Sequence, residues 1–367
     1  MLKNVATPRV FVAATRMNDG KTTSSLGLVS AIQQYHPRIG YIKPVGQRFV
    51  EIEEQKIDED SVLMQRVFRI EAPLVDMSPI AVEPDFTRRY LEMSNSDSLV
   101  RRIEKAFDRV AWEKDFVLCE GSGHAGVGSV FDLSNATVAR LLHAKVIIVS
   151  QGGIGRPIDE VAMNQALFER EGVQILGVIL NKVLPDRIDY ISNFARKGLK
   201  RRGLELLGVI PHQPILSSPT LAAIRDELRA ETLNSDDAMN NIVGRVAVGA
   251  MSVHNAMNHF SPGALLITPG DREDILLAAG AKLSQNRGSG ALAGIVLTDN
   301  MRPSSAAMKI VRDLPYPVLL AGSDLYDVAS RVHDLNVKTR PADTEKIQII
   351  RNLVSQNVDV RRILSLL

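Results

Sequence analysis

Residues 13–32 read AATRMNDGKTTSSLGLVSAI, and this stretch decides the fold. The apolar run RVFVAA from Arg9 leads into a polar turn, then Gly20-Lys21-Thr22-Thr23, then a segment with helical patterning. A strand that stops at a turn opening a helix aims backbone N–H groups at one point, and the helix dipole adds positive potential there. Such a turn suits a polyphosphate. The amides of Asn18, Asp19, Gly20, Lys21, Thr22 and Thr23 cradle it, the Lys21 ammonium meets its outer oxygens, and the Thr22 hydroxyl completes a Mg2+ shell. The usual pattern has Gly five residues before Gly20, where Thr15 stands, so the loop reads as one residue longer and begins at Ala14. If that first position requires positive φ, Ala14 is strained. A GKT triplet alone is common; its place between a buried strand and a helix makes it a nucleotide loop.

Short apolar runs continue outward from the loop. IGYIKP from Ile39, DFVLCEG from Asp115, KVIIVS from Lys145, VQILGVILN from Val173 and ELLGVIP from Glu205 join RVFVAA as expected strands. They are nearly unbroken and β-branched rather than alternating, the pattern of strands buried on both faces. Helical segments separate them. In the one opened by Pro157, a residue suited to a first helical turn, Ile158, Val161, Ala162 and Ala166 share a face. The alternation predicts an α/β fold, a mainly parallel sheet flanked by helices, with ligands at the carboxyl ends of its strands.

Residues 230–241 (AETLNSDDAMNN) are polar and turn-rich, and divide an expected nucleotide-binding domain over 1–230 from a smaller α/β domain over 243–367. In the latter, GALLITPG, ALAGIVLTD and YPVLLAG predict strands, with helices starting at Asp271, Pro303, Asp324 and Asp343.

A length of 367 residues suits two domains better than one. With 45% hydrophobic and 23% charged residues, disorder, collagen and coiled coil are excluded. Forty-four basic against forty-two acidic side chains leave a net charge of +2, which gives no reason to expect nucleic acid or an anionic membrane as a partner. The lone Cys119 forbids an intrachain disulfide and a multi-cysteine metal site. MLKNVATPRVFVAAT holds too short an apolar run for a signal peptide, and no stretch approaches the ~20 apolar residues of a membrane span. A cytoplasmic protein is expected.

The extended loop, IGYIKPVGQ and DFVLCEGSG together resemble dethiobiotin synthetase and its relatives, over roughly residues 8–225. Those relatives include cobyrinic acid a,c-diamide synthase and the N-terminal part of long phosphotransacetylases. The second half, with ITPGDREDILLAA from Ile267, resembles the DRTGG domain that follows in those phosphotransacetylases; only Asp271-Arg272 matches the name, and Glu273 and Asp274 replace the rest. Their acetyltransferase domain is not expected within the 367 residues. The resemblance implies a Mg-ATP enzyme that activates a small carboxylate or carbamate as a mixed phosphoric anhydride, its acceptor unidentified, working as a homodimer. It equally allows a non-catalytic nucleotide sensor, the place this domain takes ahead of the chemistry in long phosphotransacetylases.

Residue by residue, the resemblance implies that Lys21 and Thr22 are the phosphate-loop pair and that Lys43 faces substrate and γ-phosphate. A second ammonium opposite Lys21 would stabilise the charge on a transferring phosphoryl group; the alternative is a strand-end lysine that snorkels to solvent. Glu120 and Asp60 match the Mg2+ carboxylates, and with Thr22 they suffice. Asp60 stands beside Asp58 and Glu59 and could instead cap the helix that follows. Asn181 matches the position that recognises adenine, with Pro211 in the second base-contacting loop; an Asn ending a strand on its own backbone is the alternative. His124 stands where the synthetase has a glycine and reads as a surface or packing residue, and Cys119 as a small buried hydrophobe. Arg272, behind the expected N-cap Asp271, reads as structural.

Overall fold

The computed structural model describes residues 2–93, 95–285, 292–335 and 337–367. The runs expected as strands form β1 (Arg9–Ala14), β2 (Ile39–Ile42), β3 (Phe116–Glu120), β4 (Lys145–Gln151), β5 (Ile175–Val183) and β6 (Leu206–Pro211). They make one six-stranded sheet in the order β6-β5-β4-β1-β3-β2, and every pairing is parallel. Every residue of β1, β2 and β3 is buried, which explains their unbroken apolar sequences. Helix α1 (Lys21–Ile32) follows β1, and α2 (Glu59–Phe68) follows a hairpin of Phe49–Ile52 with Gln55–Asp58. The expected helix at Pro157 spans Arg156–Arg170, with the proline in its first turn.

The division expected at 230–243 is corrected. The chain forms two compact units, Met1–His212 together with Thr339–Leu367, and Gln213–Lys338. The helix expected from Asp343, Thr344–Asn357, therefore belongs to the first unit. It packs on α1 so closely that a Cβ on Gly27 would lie 2.2 Å from Val354 Cγ2 and 3.2 Å from the Ile350 carbonyl. Beyond it, Val358 bridges Gly208 and the Asp359 N–H donates to the Leu207 carbonyl at 2.9 Å, which covers the edge strand β6. Lys145 donates to the Leu366 carbonyl, and Arg362 forks onto both carboxylate oxygens of Glu205.

In the second unit, Arg245–Val248, Ala264–Pro269, Gly294–Thr298 and Val318–Leu320 form a parallel sheet, with Glu231–Thr232 antiparallel on its edge. Ala291, at the start of one expected strand, lies outside the described residues. Two apolar clusters form this unit's core, one with Leu266, Ile275 and Ile295, the other with Leu265, Val296 and Leu319. Arg272 bonds Asp274 and the carbonyls of Gly249 and Met251, a structural role as expected. Among the described residues, no helix is long and apolar enough to cross a membrane.

Candidate functional site

The six parallel strands deliver Ala14, Lys43, Glu120, Gln151, Asn181 and Pro211 at their carboxyl ends, the ligand side of such a sheet. The chain stays extended through the start of the loop: the Ala14 N–H bonds the Gly123 carbonyl and the Thr15 N–H bonds the Val149 carbonyl. Neither residue has positive φ, so the strain expected at Ala14 does not arise. The left-handed turns fall on Asn18 (φ 65°) and Gly20 (φ 87°) instead.

Gly20 is required twice, by its φ and because a Cβ there would lie 2.0 Å from Asn181 Nδ2. Its carbonyl accepts the first helical bond, from the Ser24 N–H at 2.9 Å. No side chain caps this helix start, so the orphan N–H groups of the first turn are left for an anion. Asp19, expected to contact the ligand, turns its carboxylate inward: Oδ2 accepts from Thr15 Oγ1 at 2.6 Å and from the Arg16 N–H at 2.8 Å. Thr15 Oγ1 lies 3.0 Å from Ser150 Oγ, so Asp19 buckles the loop to β4. Burial pushes its carboxyl above the usual range, and Oδ1 has no hydrogen-bond partner.

Glu120 is fully buried. Its Oε1 accepts from Thr22 Oγ1 at 2.9 Å and stands 3.5 Å from Lys21 Nζ, while Oε2 accepts from Tyr41 OH at 3.1 Å. The carboxylate thus meets the hydroxyl expected on Mg2+. Lys43 does not snorkel. It is 6% exposed, and its ammonium is bonded to Asp60 Oδ2 and lies 3.1 Å from Asp58 Oδ1. Burial works to lower its pKa, but Asp60, Asp58 and Glu120 outweigh it and hold the pKa above the ordinary value. Asp58 also caps α2, accepting from the Asp60 N–H at 2.9 Å. The cap that was the alternative for Asp60 is thus made by Asp58, which sequence reasoning missed, while Asp60, expected as a Mg2+ carboxylate, is bonded to Lys43.

Asn181 is 4% exposed and serves the loop. Its amide donates to the Asp19 carbonyl at 2.9 Å, and its Oδ1 accepts from the Lys182 N–H at 2.9 Å. Lys182, at positive φ, reaches the Asn18 carbonyl with its ammonium at 2.7 Å. Pro211 is half-buried at the end of β6, paired with Val183. His124 is exposed, its Nδ1 accepting from the Gly126 N–H at 3.2 Å. Cys119 is wholly buried, and burial pushes its thiol up to about 12.

Among the described residues no group of three or more His, Cys, Asp or Glu side chains is arranged to hold a metal ion. The hydroxyl and carboxylate of Thr22 and Glu120 fit Mg2+ nonetheless, because that ion keeps waters and takes phosphate oxygens alongside one or two carboxylates.

Residues 8–220 match the AAA domain family (AAA_26). The chain belongs to that family. Residues 223–335 of this AAA-domain protein match the DRTGG domain, so the two expected domains occur in the expected order. A phosphate acetyltransferase of Synechocystis sp. is 28% identical over 372 residues, covering 98% of this chain and 52% of that protein. Another, from Pseudomonas aeruginosa, is 29% identical over 95% of this chain and 50% of its own length. The chain thus spans about half the length of the curated relatives it matches. A ParA family ATPase of Chlorobium tepidum aligns with a TM-score of 0.36 at 18% identity, covering 56% of this chain and 85% of that one.

Proposed function

We propose that this AAA-domain protein binds Mg-ATP in the loop between β1 and α1. The observation that carries the reading is the Thr22–Glu120 bond beside Lys21, at a helix start left uncapped. In this reading the first-turn amides and Lys21 hold the phosphates, while Thr22 and Glu120 hold the ion. The ion neutralises charge on the β- and γ-phosphate oxygens when bound. Lys21→Ala removes the point charge, and isothermal titration with Mg-ATP is expected to show most of the affinity lost. Equal heats for wild type and variant would reject the reading.

What the bound nucleotide does has two readings. In the dethiobiotin synthetase-like one, a carboxylate or carbamate oxygen attacks the γ-phosphorus, the bond from that phosphorus to the β,γ-bridging oxygen breaks, and ADP leaves as the mixed anhydride forms. Its support is the buried Lys43 ammonium just after β2, paired with Asp58 and Asp60. The other reading is a nucleotide-sensing region of a phosphotransacetylase-type protein, supported by the curated relatives named phosphate acetyltransferase. Lys43→Ala separates them. An enzyme loses turnover and keeps ATP binding, whereas a sensor has no turnover to lose.

A further inference from the structure

Asp58 and Asp60 are two buried acids that share one ammonium, that of Lys43. Asp58 is 1% exposed and Asp60 4% exposed, and both lean on a single ammonium. Lys43 offsets one of the two negative charges, and the buried Asp58 Oδ2 has no hydrogen-bond partner. A carboxylate oxygen left without a partner in the interior is costly, and here it is tolerated beside one cation shared between two acids. Glu120 stands next to this pair in the fold: its Oε2 accepts from the hydroxyl of Tyr41, two residues before Lys43, and its Oε1 lies 3.5 Å from Lys21 Nζ. Three carboxylates, Asp58, Asp60 and Glu120, therefore face two ammonium groups, those of Lys43 and Lys21.

We propose that Lys43 is a resident counter-ion that occupies Asp58 and Asp60 and keeps them closed to a bare divalent cation until nucleotide arrives. This rests on the Mg-ATP reading. A γ-phosphate gives the ammonium another anion to pair with, and the acids it leaves become available to the ion that accompanies the phosphates. Lys43 is then a positioning residue that couples metal entry to nucleotide entry. A divalent ion alone has to compete with a cation already fixed between the two acids. Removing that cation leaves two buried acids uncompensated, and a divalent ion restores the balance.

The test uses the full chain and Mn2+ alone as the probe, without nucleotide, read by titration calorimetry and by the paramagnetic resonance signal of free Mn2+. Lys43→Met is expected to bind Mn2+ about ten-fold or more tightly than wild type, because a unit charge a few ångströms away is removed. Lys43→Arg, which keeps the charge, is expected to show no gain. Equal Mn2+ affinity for wild type and Lys43→Met overturns the proposal. Should the Met variant fail to fold by circular dichroism, Lys43→Gln takes its place under the same readout, and equal Mn2+ affinity for it and wild type overturns the proposal. Failure of ATP to bind in the Lys21 comparison concerns the loop, and failure in the Mn2+ arm concerns Lys43, so the two are told apart.

Discussion

Asn181 donates its side-chain amide to the carbonyl of Asp19 at 2.9 Å, tying the end of β5 to the loop that follows β1. The bond exists because Gly20 has no side chain: a Cβ there would lie 2.0 Å from that same nitrogen. Gly20→Ala is therefore expected to destabilise the chain by about 1–3 kcal/mol in urea unfolding, from the left-handed φ and the collision together. Adding Asn181→Ala removes the collision but not the φ penalty. The double variant should fall short of the sum of the two singles, the mark of coupled neighbours.

Glu120→Gln keeps the shape of the side chain and removes its charge beside Thr22 and Lys21. ATP affinity measured with Mg2+ should fall about 10- to 100-fold, the range for losing a group that holds or orients a metal. Affinity measured in a chelator should change far less. An equal fall under both conditions would place Glu120 outside the ion's environment.

Ile350 is fully buried where the helix Thr344–Asn357 meets α1. Ile350→Ala is expected to cost about 2–5 kcal/mol by the usual penalty for emptying such a position. Because the contact is with the helix carrying the phosphate loop, the variant should also bind ATP more weakly at temperatures where it remains folded by circular dichroism.

Cys119 gives a pH prediction. Burial raises its pKa from 9.0 to about 12, while Arg9 pulls in the opposite direction. A raised folded-state pKa means that the stability tied to the neutral thiol is complete below pH 9 and is lost as pH climbs toward 12. Wild type should therefore lose stability relative to Cys119→Ala across that alkaline window. A thiol reagent at pH 8 should label native protein only as fast as it unfolds.

The sheet was legible because strands buried on both faces leave unbroken β-branched runs, and all six were readable at RVFVAA and its successors. The strand Arg245–Val248 was not, because it is short and mostly exposed at a sheet edge and carries no such run. In the site, Lys21 and Thr22 were named from the motif and Glu120 from the family resemblance, and the fold brings the three side chains together. The partners of Lys43 did not, since a strand end and a helix cap some fifteen residues on meet only through the fold. Adjacency in sequence places the helix Thr344–Asn357 with the second domain, and the fold places it with the first. Its apolar face belongs to α1, which nothing within its own residues reveals.

That discontinuity has a consequence for biosynthesis. Chains emerge from the ribosome amino end first and fold domain by domain. Here residues 1–212 must wait, through the synthesis of 213–338, for the residues 339–367 that complete their packing. A product broken off before residue 339 would carry Lys21, Thr22, Lys43 and Glu120 and still leave bare the face of α1 that Val354 covers, making it a client for chaperones and proteases.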